Sequence, residues 1–252
     1  CVGVANAGRV IRDSNVLKNA MAYASTLDMT VFLNAEDPWL GAPGSMHEGA
    51  VSTRLGIRGI PAAAELIGLG RDLLLVEEEG VRAHFRTLSC GRSTKFLKDA
   101  RKAGLAVTSD VGIAHLFLCD EDISSFDAAY HVRPPFRSRR DRAQLRKSLR
   151  EGQIEALSAH HEPHDSDAKA APFSATEPGI SGFDSFLPLM LELIDDGVMD
   201  LKRAITTAAV EPARILGLRS GVIGVGDAAH ICIFDPALKW RLSEATMLSN
   251  GK

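Results

Sequence analysis

Several classes of protein are excluded by what the sequence lacks. No apolar run reaches the ~18 residues that a membrane-spanning helix needs, and no basic-then-apolar signal segment opens the chain. The four cysteines show neither CxxC spacing nor the density of a disulfide scaffold: Cys1, Cys90, Cys119 and Cys232. We therefore expect a cytoplasmic protein with no membrane partner, no zinc ribbon and no disulfide framework.

An excess of charge of one sign is also lacking. The 252 residues carry 29 basic and 32 acidic side chains, a net charge of −3, and 45% of them are hydrophobic. This is ordinary globular composition, enough for one large domain or two small ones, and it argues against nucleic acid as the main partner. The first residue is Cys1 rather than Met, which is expected of a processed or partial chain, or of an arbitrary boundary.

Short β-like runs alternate with helical stretches along the chain. The predicted strands are residues 2–5, 30–33, 84–88, a run starting at 106, and 154–158. The predicted helices begin at Ser14 as a cap, at Pro61 and at Ser93, and two more cover residues 186–196 and 201–210. Such alternation predicts a parallel sheet with helices outside it. Five units are too few for a closed eight-stranded barrel, so either an open sheet or part of a barrel is expected.

Ordered segments along nearly the whole chain carry a recognisable pattern. They are residues 34–38 (NAEDP), 46–49 (MHEG), 59–65 (GIPAAAE), 88–93 (LSCGRS), 108–116 (TSDVGIAHL), 132–137 (VRPPFR), 161–164 (HEPH), 211–218 (EPARILGL) and 226–236 (GDAAHICIFDP). In this order they resemble dihydroorotases, whose patterns include HAEDP, HEG, GIPAAAE, CHLSTARS, VNPPLR and TDHAPH. Each segment alone is a weak signal, and together they identify the chain as similar to the dihydroorotase-like amidohydrolases.

The resemblance implies a particular fold and division of the chain. Dihydroorotases are TIM-type (β/α)8 amidohydrolase barrels, and residues 1–218 are expected to supply the C-terminal portion, about strands 4 to 8. The first three strands, with their His-x-His pair, are then expected to precede Cys1. Residues 219–252 are expected to give strands of a small accessory β domain, namely 222–223 and 230–234, with Cys232 buried as a small hydrophobe.

Dihydroorotase chemistry uses a divalent metal that activates water and an Asp that shuttles the proton. The resemblance maps four of these functional positions onto Ala7, Asn34, Thr87 and His160. In the family these positions hold a bridging acid or carboxylated Lys, two His ligands and the catalytic Asp, respectively. Because methyl, amide and hydroxyl groups are poor metal ligands, the resemblance implies no metal cofactor and no dihydroorotate catalysis.

Arg133 and His164 are the expected remnants of the substrate pocket. Arg133 stands where the family has an Asn that contacts substrate, and His164 ends the segment similar to TDHAPH. If Arg86 and Arg133 point into the pocket, their charges oppose a bound cation. A metal site rebuilt from His160, His161 and His164 is the alternative, and hydrogen-bonded loop histidines are the favoured interpretation.

A basic stretch has only Asp141 as nearby counter-charge along the sequence: Arg137, Arg139, Arg140, Arg142, Arg146, Lys147 and Arg150. Leu145 and Leu149 predict one buried stripe on its helix. A solvated outer helix is the favoured interpretation and an interaction surface is the alternative. Nucleic-acid binding is disfavoured because no aromatic side chains interleave with these cations.

The resemblance implies three functions. The first is a non-catalytic structural subunit that forms a hetero-oligomer with aspartate carbamoyltransferase catalytic chains in pyrimidine biosynthesis, as pseudomonad dihydroorotase-like chains do. The second is an active zinc-dependent cyclic amide hydrolase with a rearranged site. The third is a small-molecule sensor that uses the vacated pocket. The loss of several ligand positions at once favours the first.

Overall fold

A parallel sheet forms the centre of the protein. The structure is a computed structural model that describes residues 1–6, 9–123, 125–219, 223–243, 245–249 and 251. Its strands are β1 (Gly3–Ala5), β2 (Thr30–Leu33), β3 (Met46–His47), β4 (Gly59–Ile60), β5 (Ala83–Phe85), β6 (Val107–Gly112) and β7 (Ala156–Ser158). The central sheet has the order β1-β2-β5-β6-β7, and β3 and β4 form a separate parallel pair.

Helices follow most of these strands along the chain. They are α1 (Ser14–Thr26), α2 (Pro38–Gly41), α3 (Ala50–Leu55), α4 (Ala62–Glu79), α5 (Ser93–Lys102), α6 (Arg139–Arg150), α7 (Ser166–Lys169), α8 (Phe183–Asp195), α9 (Leu201–Ile205) and α10 (Glu211–Ile215). None of the described helices combines the length and apolar composition needed to cross a bilayer. The prediction of an α/β protein built on a parallel sheet is confirmed. That this sheet forms part of a closed barrel stays a prediction.

The helix starts follow the capping rules, with shifts of one residue from the prediction. Asp13, rather than Ser14, caps α1, because its carboxylate accepts hydrogen bonds from the backbone N–H groups of Asn15 (2.8 Å) and Val16 (3.2 Å). Pro61 is the cap residue of α4 instead of its first helical residue, with a ψ of 150°. Both Asp13 and Ser14 are residue types that favour a cap, so the sequence alone does not distinguish them.

One hydrophobic core joins the sheet to the helices. It contains fully buried side chains from α1 (Met21), α4 (Leu69), β5 (Phe85), α5 (Leu97) and α8 (Leu193). The buried face of α1 has the predicted spacing, at Leu17, Met21 and Ala24. This packing holds the strands side by side, so that their carboxyl ends lie along one edge of the sheet.

The C-terminal tail differs from the prediction. Among the described residues of 219–252 there is no strand, and Cys232 is exposed rather than buried. Ile231 and Ile233 are 61% and 93% exposed. The prediction of a strand at 230–234 is therefore wrong, because apolar alternation forms a strand only where another strand supplies hydrogen-bond partners. Val222 lies outside the described residues, and the domain boundary at 218 stays a prediction.

Replacing Phe85 by alanine is expected to destabilise the protein by about 3–5 kcal/mol, because it leaves a cavity in the core. Urea unfolding followed by circular dichroism measures this loss. Phe126, which is 60% exposed, is the matched control, and Phe126→Ala should change stability by less than about 0.5 kcal/mol. Equal losses in the two variants would mean that Phe85 does not lie in a packed core.

Candidate functional site

A cavity opens at the carboxyl edge of the central sheet. Asn34 directly follows β2, and Thr87 and His160 come two residues after β5 and β7. Because the strands are parallel, these residues meet at the same edge. The cavity has a volume of about 380 Å³. Its walls are Val10, Asn34, Ala35, Glu36, Glu65, Arg86, Thr87, Leu88, Arg133, Pro134, His160, His161, Glu162 and Pro178.

A buried carboxylate on β6 organises one side of this edge. Asp110 Oδ1 accepts hydrogen bonds from the Thr87 backbone N–H (2.9 Å) and the Ser158 hydroxyl (2.8 Å). Its second oxygen lies 3.0 Å from His84 Nε2, and the other ring nitrogen of His84 lies 2.8 Å from the Thr108 hydroxyl. Burial by itself raises the pKa of Asp110, but the bonds from His84, Ser158 and the Thr87 backbone outweigh it and leave the pKa below its ordinary value.

Two wall residues have a strained backbone. Thr87 and His160 have φ angles of 50° and 46°, in the left-handed region that non-glycine residues rarely adopt. Strain of this kind costs about 1–3 kcal/mol per residue and persists only where the surroundings enforce it. For Thr87 the enforcing contact is the hydrogen bond from its N–H to Asp110. Thr87 and His160 are also two of the positions at which the sequence resemblance predicts replaced functional side chains.

His160 is a neutral imidazole in the cavity wall. Its pKa lies below the ordinary value, mainly because of burial. Asp110 and Glu162 raise this pKa and Arg86 lowers it, without changing the direction of the net shift. The Nδ1 atom of His160 and the side-chain oxygen of Asn34 are both buried, and neither has a hydrogen-bond partner among the described residues.

His161 and His164 are committed to loop contacts. His161 Nδ1 accepts hydrogen bonds from the backbone N–H groups of Gly182 (3.2 Å) and Phe183 (3.3 Å), and its ring stacks on Phe183 at 4.0 Å. His161 therefore carries its proton on Nε2. His164 Nε2 lies 3.1 Å from the carbonyl oxygen of Pro178. The structure brings Arg133 and His160 into the cavity but leaves His164 outside its walls.

The guanidinium groups of Arg86 and Arg133 both line the cavity and differ in their ion pairing. Arg133 makes a two-pronged ion pair with Glu36, which includes a 3.1 Å hydrogen bond from Nε to Oε2. Glu36 thus neutralises the charge that the sequence predicted for Arg133. Arg86 also lines the cavity, and no carboxylate in the described part of the chain lies within ion-pair distance of it. The predicted positive charge is therefore present at Arg86 and balanced at Arg133.

A second buried carboxylate supports the wall beside Leu88. Glu65 accepts hydrogen bonds from the hydroxyls of Ser89 and Ser93 and from the backbone N–H groups of residues 89 and 90. Arg137, which is 3% exposed, donates to the Ser89 hydroxyl at 3.0 Å. The Ser89 hydroxyl is therefore held between Glu65, to which it donates, and Arg137, from which it accepts.

The basic stretch has more counter-charges than the sequence indicated. Arg137 points into the protein, while four of the others pair with carboxylates distant in sequence or on the same helix: Arg139 with Glu121, Arg142 with Asp122, Arg146 with Asp196 and Lys147 with Glu151. The reading of Asp141 as the sole counter-charge was wrong, because three of these partners come from other elements of the fold. The predicted buried stripe of Leu145 and Leu149 is confirmed.

The side chains at the predicted ligand positions do not fit a zinc centre. Zinc takes its protein ligands from His nitrogen, Cys sulfur and carboxylate oxygen. Asn34 offers an amide oxygen and Thr87 a hydroxyl, and Ala7 lies outside the described residues. Within the described ranges no group of three or more His, Cys, Asp or Glu side chains is placed to hold a metal ion. In the described part of the chain, His160, His161 and His164 are not grouped in a way that could hold a metal ion.

Three residues that organise this edge were missed from the sequence: Glu36, Glu65 and Asp110. The Arg133–Glu36 pair joins residues 97 positions apart, and the Ser89–Glu65 contact spans 24. No spacing rule predicts such pairs, because they depend on which strands become neighbours. Glu36 and Glu65 do lie inside the segments NAEDP and GIPAAAE, so the family pattern marked them without giving them a role.

Solved hydantoinases share this fold. A D-hydantoinase from Bacillus sp. AR9 matches with a TM-score of 0.81 and 22% identity, over 97% of this chain and 56% of that one. The L-hydantoinase from Arthrobacter aurescens matches with a TM-score of 0.76 and 21% identity, over 86% of this chain and 50% of that one. At these identities the likeness establishes the fold alone: the protein has the α/β fold of the hydantoinases.

Sequence similarity defines the family more narrowly. A family profile described as Dihydro-orotase-like matches residues 2–93. A "Dihydroorotase-like protein" from Pseudomonas aeruginosa is 43% identical over 94% of this chain, and a dihydroorotase from Bacillus caldolyticus is 36% identical over 96% of it. The chain is therefore similar to members of the dihydroorotase-like family. It spans 56% and 57% of the lengths of these two relatives.

Replacing Asp110 by asparagine is expected to cost about 2 kcal/mol at pH 7, because it removes the charge that accepts three buried hydrogen bonds. Folding lowers the pKa of Asp110 from its unfolded value of 3.8. The ionised carboxylate therefore stabilises the protein fully at a pH above 3.8, and this stabilisation is lost as the pH falls through the folded-state pKa. The difference between the unmodified protein and Asp110→Asn should therefore be constant above about pH 5 and shrink below pH 3.8.

Urea midpoints between pH 2.5 and 8 provide the measurement. Glu77→Gln, which neutralises an exposed carboxylate on α4, is the control and should leave the midpoint nearly unchanged. A difference for Asp110→Asn that grows toward acid pH would contradict the lowered pKa.

Proposed function

We propose that the protein is a non-catalytic, dihydroorotase-like structural subunit that supports the assembly of aspartate carbamoyltransferase in pyrimidine biosynthesis. One observation carries this proposal. The cavity at the carboxyl edge of the sheet keeps a strained framework, yet its wall presents an amide at Asn34, a hydroxyl at Thr87 and, at Arg86, a guanidinium without an ion pair among the described residues.

The chemistry of cyclic amide hydrolysis explains why these side chains matter. For water to attack an amide in such a site, one group lowers the pKa of the water and a second group accepts the proton that the water releases. In this cavity the free positive charge of Arg86 opposes a bound cation. His160 stands where the family pattern has the proton-accepting Asp, and it lacks the negative charge of that residue. The predicted ligand positions therefore supply no group that would hold a water-activating metal, and a proton would pass to an imidazole instead of a carboxylate.

The retained framework points to a structural role. The left-handed backbone at Thr87 and the hydrogen bonds around Asp110 define the shape of this edge without contributing a ligand. A retained shape of this kind suits a subunit that binds a partner through its surface and carries out no reaction in its cavity. The 43% identity to the dihydroorotase-like protein of Pseudomonas aeruginosa, against 36% for the Bacillus caldolyticus dihydroorotase, supports grouping the chain with the former.

The alternative is an active zinc-dependent cyclic amide hydrolase with a rearranged site. It would need His160, His161 and His164 as ligands. Two of the three rings already engage loop backbone, through His161 Nδ1 and His164 Nε2. Building the site would break these contacts and turn the rings, so the alternative requires a rearranged loop after β7.

In a mixture with the aspartate carbamoyltransferase of the same organism, the full chain is expected to elute with that enzyme on size exclusion. Multi-angle light scattering should then give a mass that is a whole-number combination of the two chains. Bovine serum albumin in place of the enzyme is the control. Elution of the chain as a free species at micromolar concentrations of both proteins would contradict the proposal.

The unmodified protein and the single variant Asn34→His are both expected to show no dihydroorotate turnover with added zinc, because restoring one ligand leaves Thr87 and His160 in place. A spectrophotometric assay measures turnover, with the Bacillus caldolyticus dihydroorotase as the positive control. Turnover by the unmodified protein that His161→Ala abolishes would establish the alternative and refute the non-catalytic role.

A further inference from the structure

A second concave surface lies between two outer helices, away from the cavity. It has a volume of about 950 Å³ and shares no wall residue with the cavity. We name it the α5–α6 groove. Its walls are Ala62, Cys90, Gly91, Arg92, Thr94, Lys95, Phe96, Lys98, Asp99, Lys102, Arg140, Asp141, Gln144 and Gln153.

Positive charge is concentrated in this groove. Lys95, Lys98 and Lys102 are exposed and follow one another at spacings of three and four residues, which places them on the same face of α5. Arg92 precedes this helix, and Arg140 extends the set from α6. Five cations therefore line one groove of a protein whose net charge is −3.

These five cations differ from their neighbours in having no counter-charge. Arg101, also on α5, pairs with Glu155 at 2.9 Å, and four basic residues of α6 have the carboxylate partners given above. By contrast, Arg92, Lys95, Lys98, Lys102 and Arg140 have no ion pair with any described residue. The fold neutralises the cations around the groove and leaves those inside it unpaired.

The carboxylates in the groove do not balance this charge. Asp99 and Asp141 are the acids among the wall residues, so two negative charges face five positive ones. Asp141 is also held in place by hydrogen bonds from the backbone N–H of Gly91 (2.9 Å) and the hydroxyl of Ser138 (2.5 Å). Like charges gathered on one surface repel each other and disfavour the free protein, and an acidic ligand would relieve this repulsion.

The dimensions of the groove indicate a short segment of chain. Seven residues of helix separate Lys95 from Lys102, a rise of about 10 Å, which matches about three residues of extended peptide. Phe96, 38% exposed, offers an apolar contact on the same surface. The groove wall has one aromatic side chain for base stacking, which disfavours a nucleic acid as its ligand.

We propose that the α5–α6 groove binds an acidic peptide segment of a partner protein, with at least three closely spaced Asp or Glu side chains. Lys95, Lys98 and Lys102 contact these carboxylates, and Arg92 and Arg140 flank them. The proposal concerns a surface separate from the cavity, so it goes beyond the assembly role and does not require that the partner be a transcarbamoylase.

The test measures binding of fluorescein-labelled hexaglutamate to the full chain by fluorescence anisotropy at low ionic strength. The groove variant is Lys95→Gln/Lys98→Gln/Lys102→Gln. The matched control is Lys147→Gln/Lys202→Gln/Lys239→Gln, which removes the same charge from exposed lysines outside the groove. Circular dichroism checks that both variants are folded. An unlabelled hexathymidylate competes as the nucleic-acid probe.

The groove variant is expected to weaken hexaglutamate binding by about tenfold, and the control by less than about twofold. Failure of the unmodified chain to bind hexaglutamate, or equal weakening in both variants, would overturn the proposal. Tighter binding of hexathymidylate that depends on the same three lysines would also overturn it, in favour of a nucleic acid.

The outcome is separable from that of the assembly role. Hexaglutamate binding in the groove without any complex with aspartate carbamoyltransferase would support the groove and refute the assembly role. A complex with that enzyme, together with no hexaglutamate binding, would refute the groove and leave the assembly role standing.

Discussion

The carboxylate of Asp110 is the contact on which the candidate site depends. It lies on β6 and accepts hydrogen bonds from the Thr87 backbone after β5 and from Ser158 on β7, while His84 on β5 contacts its second oxygen. One buried group thus ties together the ends of three neighbouring strands. The bond to Thr87 also holds the left-handed backbone that directs the chain along the cavity wall. Without this carboxylate, the buried N–H of Thr87 would lose the acceptor that Asp110 provides.

The contacts at this edge explain how its framework would persist if the proposed non-catalytic role is correct. Its buried carboxylates contribute hydrogen bonds whatever the cavity holds. Asn34 and His160 each have a buried polar atom without a hydrogen-bond partner among the described residues, so these two side chains contribute less to that framework.

Local patterns in the sequence predicted most of the elements and few of the contacts. The apolar spacing of Leu17, Met21 and Ala24 gave α1, and the apolar run at 30–33 gave β2 with its observed bounds. Both follow from periodicity within one element. The ion pair of Arg133 with Glu36 could not be predicted in the same way, since it joins segments that become neighbours only in the folded sheet.

The errors have the same physical origin. Residues 230–234 have the alternation of a strand, but a strand also requires a neighbour with free backbone groups, which a local pattern does not contain. The counter-charges of Arg139, Arg142 and Arg146 lie on other elements, so the basic stretch looked uniformly unpaired. The sequence alone did not distinguish the cations that pair with carboxylates from the cations of the α5–α6 groove, and the folded structure does.

The central claim is that the cavity is no longer a metal centre. The most direct measurement is an anomalous difference map, recorded at the zinc absorption edge from crystals grown with zinc. The account predicts no anomalous peak within ligand distance of Asn34, Thr87 or His160. A peak at that place, coordinated by His160 and His161, would contradict it.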